Sequence, residues 1–552
     1  MAQMKETVVP ALKEIYEAED HRDFRALLKY SADKFADLDA FIIKEGKGAD
    51  GKPVYRHITY RDFEKDVQSF GEGMLKRGMS GKRIAVIGIN SYPWYMTYYT
   101  VMCGLGIAVP LDKGLPYEEL ENSLIKSRTD CLIFDKKHSE LAERLIKEGS
   151  TAVKTFISMD DEEGYESLTA IMEEGIKARN DGEKGFEAME ADPEAMQALI
   201  FTSGTTSKAK AVMLSQRNIL SDIYMMDKCE DIKCGDVNMA ILPYHHTFGS
   251  TGQTMMISLG VTTVFCDGLK YIQKNMCEYG VSVFICVPLL IEAMHAKIQA
   301  AIDKKGLRKK FETGLKISRA LKKIHIDIRR KIFKDVLAEL GGALRSVISG
   351  ASALSVEALK GFMDIGIEVF QGYGMTEASP VIAAEGPAAR KPGSIGYSMP
   401  GVETKVVDQN EEGIGELICR GPNVMLGYYE DEEATAETIK DGWLRTGDLA
   451  RVDKDGFIFL SGRKKNVIVL KNGKNVYPEE IEELINALPY VAESMVYGEL
   501  RKDDGPEDDI IPAVTVVYDS EKLDATDESA AREKVQADLD RINDTMPSYK
   551  QI

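Results

Sequence analysis

Residues 201 to 215 read FTSGTTSKAKAVMLS, and their types suit one kind of chemistry. Thr202, Ser203, Gly204, Thr205 and Thr206 set small hydroxyl side chains around a glycine. Main-chain N–H groups there are left uncovered, and the hydroxyls add donors, so an anion such as a phosphate can approach the backbone. Lys210 supplies a mobile positive charge for the outer phosphates of a nucleotide. The apolar runs Ala198 to Phe201 and Ala211 to Leu214 predict a strand on each side. The loop therefore joins two strands, unlike the pattern GxxxxGK[ST], in which a glycine precedes the lysine and a helix follows. Taken alone, the same stretch also reads as a plain polar hairpin.

Further groups lie elsewhere. Gly350 and Ala351 sit in a small-residue turn (SGASA) after a predicted strand, Leu344 to Ile348. Gln371, Gly372, Tyr373, Gly374, Met375, Thr376 and Glu377 follow another, Ile367 to Phe370, and Glu377 is a hard oxygen donor suited to Mg²⁺. Asp448, in Thr-Gly-Asp, could accept from two ribose hydroxyls, and Arg463, in SGRKK, could add a charged donor. The stretch LPYHHTFG contains His245, His246 and Phe248. Each is weak alone: Gly-x-Gly turns and Thr-Gly-Asp turns are common backbone devices, and an isolated histidine is usually a packing residue.

The elements that must hold these groups follow from periodicity. A helix is predicted from Phe24 to about Asp37, then a strand at Ile58 to Tyr60 running into a helix that ends at Arg77. Buried strands at Arg83 to Ile89, Ile107 to Leu111 and Cys131 to Phe134 alternate with helices at Tyr92 to Gly104 and Pro116 to Ser127. That alternation predicts an α/β fold with parallel, doubly wound sheets. Residues 137 to 195 are acidic and weakly patterned, with a solvated turn at Asp160 to Glu163. A second alternating block contains strands at Val237 to Pro243, Val261 to Cys266 and Val281 to Pro288. From Ser394 to about Ser461 turn glycines mark a small β-rich subdomain, and beyond Arg463 the pattern becomes α+β, with helices near Glu479 to Leu488 and Glu528 to Asp544. The expected domains are 1–463, with the β-rich part at about 394–463, and a small mobile C-terminal domain at 464–552.

At 552 residues with 44% hydrophobic and 29% charged content, the chain has ample material for a large core. A net charge of −19 argues against general nucleic-acid binding, while leaving room for a locally positive site. No apolar signal segment follows the first lysine, no apolar run is long enough to span a bilayer, and the eight cysteines are scattered without a CxxC pair. The expectation is a cytoplasmic protein with reduced thiols. One segment, 304–334, is strongly basic, with apolar residues at helical spacing (Leu307, Phe311, Leu315, Leu321, Ile324, Ile328, Ile332). Such a helix can lie on the anionic inner face of a membrane, or pack its stripe on its own domain.

In this order the stretches are specific. From near Phe24 to the last residue, the chain resembles the adenylate-forming acyl-activating superfamily, closest to long-chain fatty acyl-CoA synthetases. The phosphate loop, QGYGMTE, TGD and GRKKNVIVLKNGKNVYPEEIE carry the resemblance, and the basic segment is similar to an insertion of long-chain members. The resemblance implies that a fatty acid carboxylate attacks the α-phosphate of MgATP, giving acyl-AMP and pyrophosphate, and that coenzyme A then takes the acyl group. By motif position, Thr202 to Thr206 and Lys210 would cradle the β- and γ-phosphates, and Glu377 with Thr202 would bind Mg²⁺. Gly350, Ala351, Gly372 and Tyr373 would frame the adenine, with Thr376 near the α-phosphate and Gln371, Gly374 and Met375 among the nucleotide-binding residues. Asp448 and Arg463 would hold the ribose. His246 would stand beside the substrate carboxylate and Phe248 would line the acyl tunnel. Lys465 would be the hinge of the C-terminal domain, and Gly473 would flank the coenzyme A channel.

The sequence also departs from that pattern. Ser207, Ala209 and Ala211 replace the family's Gly, Pro and Gly. The family's C-terminal lysine, in a Gly-Lys turn, would lie beyond Ile552, and Lys550 is too early to be it, so the expectation is a natural tail past this end. A ligase delivering to a carrier protein, and a non-catalytic acyl-adenylate or nucleotide-binding protein, are the alternatives, with luciferase-like or peptide-synthetase adenylation modules behind them.

Overall fold

The computed structural model describes residues 6–202, 209–471, 474–500, 510–523, 525 and 527–552. They form two compact units. The larger contains Pro10–Glu403 and Arg420–Leu444; the smaller gathers the described residues up to Val9 with Thr404–Cys419 and Arg445–Ile552.

The larger unit is built on two sheets. One has eight strands in the order Gly427–Tyr428, Lys210–Ser215, Met196–Thr202, Gly106–Pro110, Lys82–Ile87, Cys131–Phe134, Thr155–Ser158, Glu166–Ser167. Its middle is parallel, and the pair carrying Lys210 is antiparallel at one edge. The other has nine strands: Tyr397–Ser398, Val381–Ala384, Glu368–Gly374, Ser346–Ser349, Val283–Cys286, Val237–Ala240, Thr262–Phe265, Asp39–Lys47, Pro53–Thr59. Both centres are buried on both faces, as strands covered by helices must be, with a few polar side chains such as Asn238, Thr263 and Ser346 among the apolar ones in the second sheet. The expected α/β, doubly wound class is what the chain forms. Helix Tyr92–Thr100 is enclosed on nearly every side, and its Tyr92, Tyr95 and Tyr99 pack on Phe41 and Phe63, several of them edge to face.

The weakly patterned stretch 137–195 is more regular than its sequence suggested. It contains helix Ser139–Glu148, a parallel strand at Thr155–Ser158 and helix Leu168–Asn180. The first helix buries Ala142 and Leu145, with Leu141 packed on the same core. The second lies so close to helix Tyr60–Lys76 that a β-carbon at Gly175 would collide with the Ser69 carbonyl, and one at Gly73 with that of Ile171. An interface made by glycines leaves no hydrophobic period.

The basic segment is also different from a single amphipathic helix. It is divided among helices Pro288–Lys304, Arg308–Lys322 and Arg329–Ile332. Phe311, Leu315, Ile332 and Val336 pack onto the core of their own unit. Arg308 pairs with Asp303, Arg319 with Asp364, and Arg329 with Asp327 and Glu368. Ile317, Ile324 and Ile326 stay exposed. Among the described residues, no helix is long and apolar enough to cross a membrane.

Helix Gln216–Asp227 ends on a buried carboxyl. Asp227 accepts from Ser258 Oγ at 2.8 Å through one oxygen, while the other has no partner among the described residues. Burial pushes its pKa up to about 8. The folded state thus holds a proton that the unfolded chain releases near its ordinary carboxylate value. The stability this contributes is complete below about pH 4 and is lost as the pH rises through about 8. Asp227→Asn is therefore expected to melt a few degrees above the parent at pH 8, with the gap closing toward pH 4 in thermal scans across that range. A constant gap would refute it.

In the smaller unit, Thr7–Val8 pairs antiparallel with Glu403–Val407, followed by Gly415–Arg420 and Trp443–Val452, with Ile458–Arg463 beside the last. Beyond them, helices Pro478–Asn486 and Glu528–Asn543 and the antiparallel pair Val491–Leu500 and Ile510–Tyr518 enclose a core of Ile468, Val476, Ile481, Ile485, Val496 and Leu539.

Candidate functional site

The strands flanking the hydroxyl-rich loop form the antiparallel pair expected of them. Thr202 lies opposite Lys210 and Phe201 opposite Ala211. Ser203, Gly204, Thr205 and Thr206, with Ser207, lie outside the described residues. At the base of the loop, Thr202 Oγ1 donates to the Lys210 carbonyl at 3.4 Å, and Lys126 Nζ donates to the Ala209 carbonyl at 2.9 Å.

Lys210 and Glu377, distant in sequence, meet through one tyrosine. Strand Lys210–Ser215 pairs on its outer edge with Gly427–Tyr428, Val212 facing Tyr428. The Lys210 ammonium lies 4.4 Å from the centre of the Tyr428 ring. The Tyr428 hydroxyl donates to Glu377 Oε1 at 2.7 Å. The Glu377 backbone is fixed as well, its carbonyl accepting from Met425 N at 2.9 Å. Glu377 is buried, and its second carboxylate oxygen has no hydrogen-bond partner among the described residues. A hard oxygen beside a lysine and a hydroxyl-lined loop fits a Mg²⁺-bound polyphosphate. Thr202, the other proposed metal ligand, stands at the end of the same strand pair.

The glycine-rich stretch before Glu377 is a strand, not a turn after one. Gln371–Gly374 continue strand Glu368–Gly374, which pairs antiparallel with Val381–Ala384. Gly374 is required there, because a β-carbon would collide with the Pro380 carbonyl. The Gln371 side chain is turned into the scaffold, where it is buried and donates to the Ser394 carbonyl at 3.1 Å. Gly372 and Tyr373 are partly exposed, as are Met375 and Thr376 after the strand. Gly350 and Ala351 follow the neighbouring parallel strand Ser346–Ser349. Ala351 holds φ of +76°, a left-handed backbone that costs about 1–2 kcal/mol for a residue with a β-carbon. A β-carbon on Gly350 would lie 3.2 Å from both the Gly372 carbonyl and the Phe248 ring, so the small residues bring these two strand ends and Phe248 together.

His246 lies at the start of helix Thr247–Ser258, after strand Val237–Ala240. With His245, Asp112, Lys113, Lys137 and Ile89 it lines a cavity of about 430 Å³. The loop is held in place by Asn90, whose amide donates to the Leu242 carbonyl at 2.7 Å and accepts from Tyr244 N at 3.2 Å. Burial pushes the His245 pKa down to about 4, with the adjacent His246 adding to the effect. Behind Phe248 a slot of about 20 Å³ runs between Met239, Ile241, Gly252 and Ile285.

In the smaller unit, Asp448 and Arg463 face each other across antiparallel strands, Arg463 Nε lying 2.8 Å from Asp448 Oδ1. Asp448 is buried, and Arg463 is exposed. Lys465 is exposed in the short turn Lys464–Asn466. That turn is tied to helix Pro478–Asn486 through Glu479, which accepts from Arg463 N at 3.2 Å and Asn466 Nδ2 at 2.7 Å. Gly473 lies outside the described residues.

Reading the sequence missed Tyr428, Lys126 and Asp112. Gly-Tyr-Tyr at 427–429 carries no chemical signature, and only its pairing with Lys210–Ser215 gives Tyr428 a place. Asp112 is one of several acidic residues after a short strand.

Residues 28–429 match the family described as AMP-binding enzyme, and residues 465–552 match its C-terminal domain. The chain is 25% identical over 518 residues to a chloroplastic long-chain-fatty-acid–[acyl-carrier-protein] ligase of Arabidopsis thaliana, an alignment covering 81% of this chain and 71% of that one. It is 28% identical over 481 residues to long-chain-fatty-acid–CoA ligase 5 of Rattus norvegicus, covering 81% and 69%. Its fold is similar to that of O-succinylbenzoate coenzyme A synthetase from Bacillus subtilis in complex with ATP and magnesium ion, with a TM-score of 0.70, 20% identity, and 95% and 94% of the two chains covered.

Proposed function

The chain belongs to the AMP-binding enzyme family, and from that premise we propose that it is an ATP-dependent ligase that activates a long-chain fatty acid as acyl-AMP and transfers it to coenzyme A. The observation that carries the reading is the meeting of Lys210 and Glu377 on one tyrosine beside the hydroxyl-rich loop. The names of relatives such as the rat CoA ligase support the substrate class.

In the first step the acid's carboxylate oxygen forms a bond to the α-phosphorus of ATP, and the bridging α–β bond breaks to release pyrophosphate. The protein's part is positioning and charge stabilisation. Lys210, Thr202 and the loop hydroxyls hold the leaving phosphates, and His246 meets the carboxylate. Glu377, with Thr202, holds Mg²⁺, which when bound offsets the charge of the phosphates. Gly350, Ala351, Gly372 and Tyr373 form the adenine wall, Thr376 stands near the α-phosphate, and Asp448 with Arg463 takes the ribose. In the second step the thiol of coenzyme A attacks the acyl carbon and AMP leaves with the bonding electrons. Residues 464–552 act as a lid turning at Lys465, with Gly473 beside the thiol's path.

The test is thioester formation from fatty acid, MgATP and free coenzyme A, run beside a phosphopantetheine carrier protein. Product only with the carrier would replace this reading by the carrier-protein one, which the Arabidopsis relative supports. No acid-dependent pyrophosphate with either acceptor would leave a nucleotide-binding protein. A further reading is peripheral membrane attachment through 304–334, supported by the exposed Ile317, Ile324 and Ile326 among basic residues. Sedimentation with anionic vesicles that is lost in high salt tests it.

The slot behind Phe248 is the start of the acyl path in this reading. A β-carbon on Gly252 would reach 3.3 Å from Ile285 Cδ1, so Gly252→Val would fill it. The expected result is a shift in kcat/KM toward shorter acids by about tenfold, the order that one or two methylenes are worth in an apolar pocket. An unchanged chain-length profile would move the path elsewhere.

A further inference from the structure

Three parallel strands of one sheet of the larger unit and one strand of the other have their carboxyl ends at the cavity lined by His245 and His246. Ile89 follows strand Lys82–Ile87, Asp112 follows Gly106–Pro110, Lys137 and His138 follow Cys131–Phe134, and the histidines follow Val237–Ala240. Crevices at such strand ends are where α/β proteins bind ligands.

Three groups there converge as metal ligands do. One ligand atom each from Asp112, His245 and His246 lies within 4.8 Å of the others. His245 Nε2 is 3.4 Å from Asp112 Oδ1, close to the edge of about 3.3 Å that a tetrahedral ion with bonds of about 2.0–2.1 Å requires. The histidine rings lie 4.1 Å apart, tilted by 50°. Burial adds to this clustering. His245 lines the cavity wall but is only 8% exposed, and its Nε2 makes no hydrogen bond among the described residues, with the Asp112 carboxylate lying 3.4 Å away. A buried ring nitrogen left unsatisfied is costly, and a cation supplies the missing partner. The neighbouring His138 is already committed, its Nδ1 lying 2.5 Å from Asp135 Oδ1.

The geometry points to a divalent-cation site of the zinc class, with His245, His246 and Asp112 as protein ligands and a fourth position open to the cavity. Two imidazoles and one carboxylate suit Zn²⁺ over Mg²⁺, which prefers an all-oxygen shell. The site is distinct from the Glu377 carboxylate that the ligase reading gives to Mg²⁺. Lys113 and Lys137 share the cavity, but both are exposed on flexible stems that can turn to solvent. On the ligase reading, the cation would compete with the acyl carboxylate for His246, so zinc-class ions would inhibit. That corollary rests on the ligase reading, whereas metal binding does not.

The test is calorimetric titration of the chelator-stripped full chain with Zn²⁺. One tight equivalent is expected, weakened at least about tenfold in His245→Ala and in Asp112→Asn, since losing a ligand costs no less than losing the group that orients one. Glu377→Gln and the double variant Cys234→Ser/Cys277→Ser, which removes the two exposed thiols, are expected to keep it. Asp112 is partly exposed, so Asp112→Asn gives the answer even where His245→Ala fails to fold. Absence of a tight equivalent in the parent, or its persistence at full affinity in Asp112→Asn, overturns the assignment.

Discussion

Glu377→Gln is expected to release pyrophosphate about 10²–10³-fold more slowly than the parent, in an assay with saturating ATP and fatty acid across a Mg²⁺ titration. The estimate follows from removing one charged oxygen ligand, worth several kcal/mol at a developing phosphate charge. Glutamine keeps the volume and can still accept from the Tyr428 hydroxyl, so the buried tyrosine keeps its partner and the fold should hold. Alanine would mix that structural cost with the chemical one. Tyr428→Phe separates the tyrosine's part: it keeps the ring beneath Lys210 and removes the hydroxyl that bonds the carboxylate and also contacts Thr438. A hydrogen bond to a charged group is worth about 1.5–3 kcal/mol, so a loss of about 10–100-fold is expected, with a raised Mg²⁺ requirement. Turnover within about threefold of the parent in Glu377→Gln, in an active preparation, would remove Glu377 from the chemistry. It would leave Lys210 and the loop without the counter-ion that the proposed reaction needs.

How much of this was legible depended on whether the signal was local. The strands around the hydroxyl-rich loop could be read because Ala198 to Phe201 and Ala211 to Leu214 are continuous apolar runs. So could the buried strands Lys82–Ile87 and Cys131–Phe134, whose side chains are covered on both faces. The nearness of Lys210 and Glu377 was available only through resemblance, because no spacing rule joins a strand residue to one in a turn after a strand of another sheet. Tyr428 was invisible for the same reason: its role comes from a two-residue edge strand, and its neighbours in sequence say nothing about Lys210. Glycine hid helix Leu168–Asn180, whose contact is made by absent side chains at Gly73 and Gly175. Charge alone did not decide between the two readings of 304–334, because the pairing of Arg308, Arg319 and Arg329 with acidic residues of the same unit depends on the fold.

Lys465→Pro is expected to slow thioester formation at least about tenfold more than it slows adenylation. If residues 464–552 turn between two poses, a few residues at the junction must absorb the change in φ and ψ. Lys465 is exposed in a three-residue turn, and its side chain contributes nothing to the core. Its flanks are anchored, with Arg463 N and Asn466 Nδ2 both bound to Glu479, so bending is concentrated between them. Proline fixes φ near −65° and pushes the residue before it, Lys464, away from helical backbone. One pose would then be disfavoured while the groups proposed to bind the nucleotide in the larger unit stay intact. Trapping acyl-AMP with hydroxylamine reads the first step, and coenzyme A thioester reads the second. Lys465→Ala changes the side chain but leaves the backbone free, and is expected to keep both rates within about threefold. Equal losses of the two steps in Lys465→Pro would mean that the turn supports folding alone, and the pivot would have to be sought at another residue.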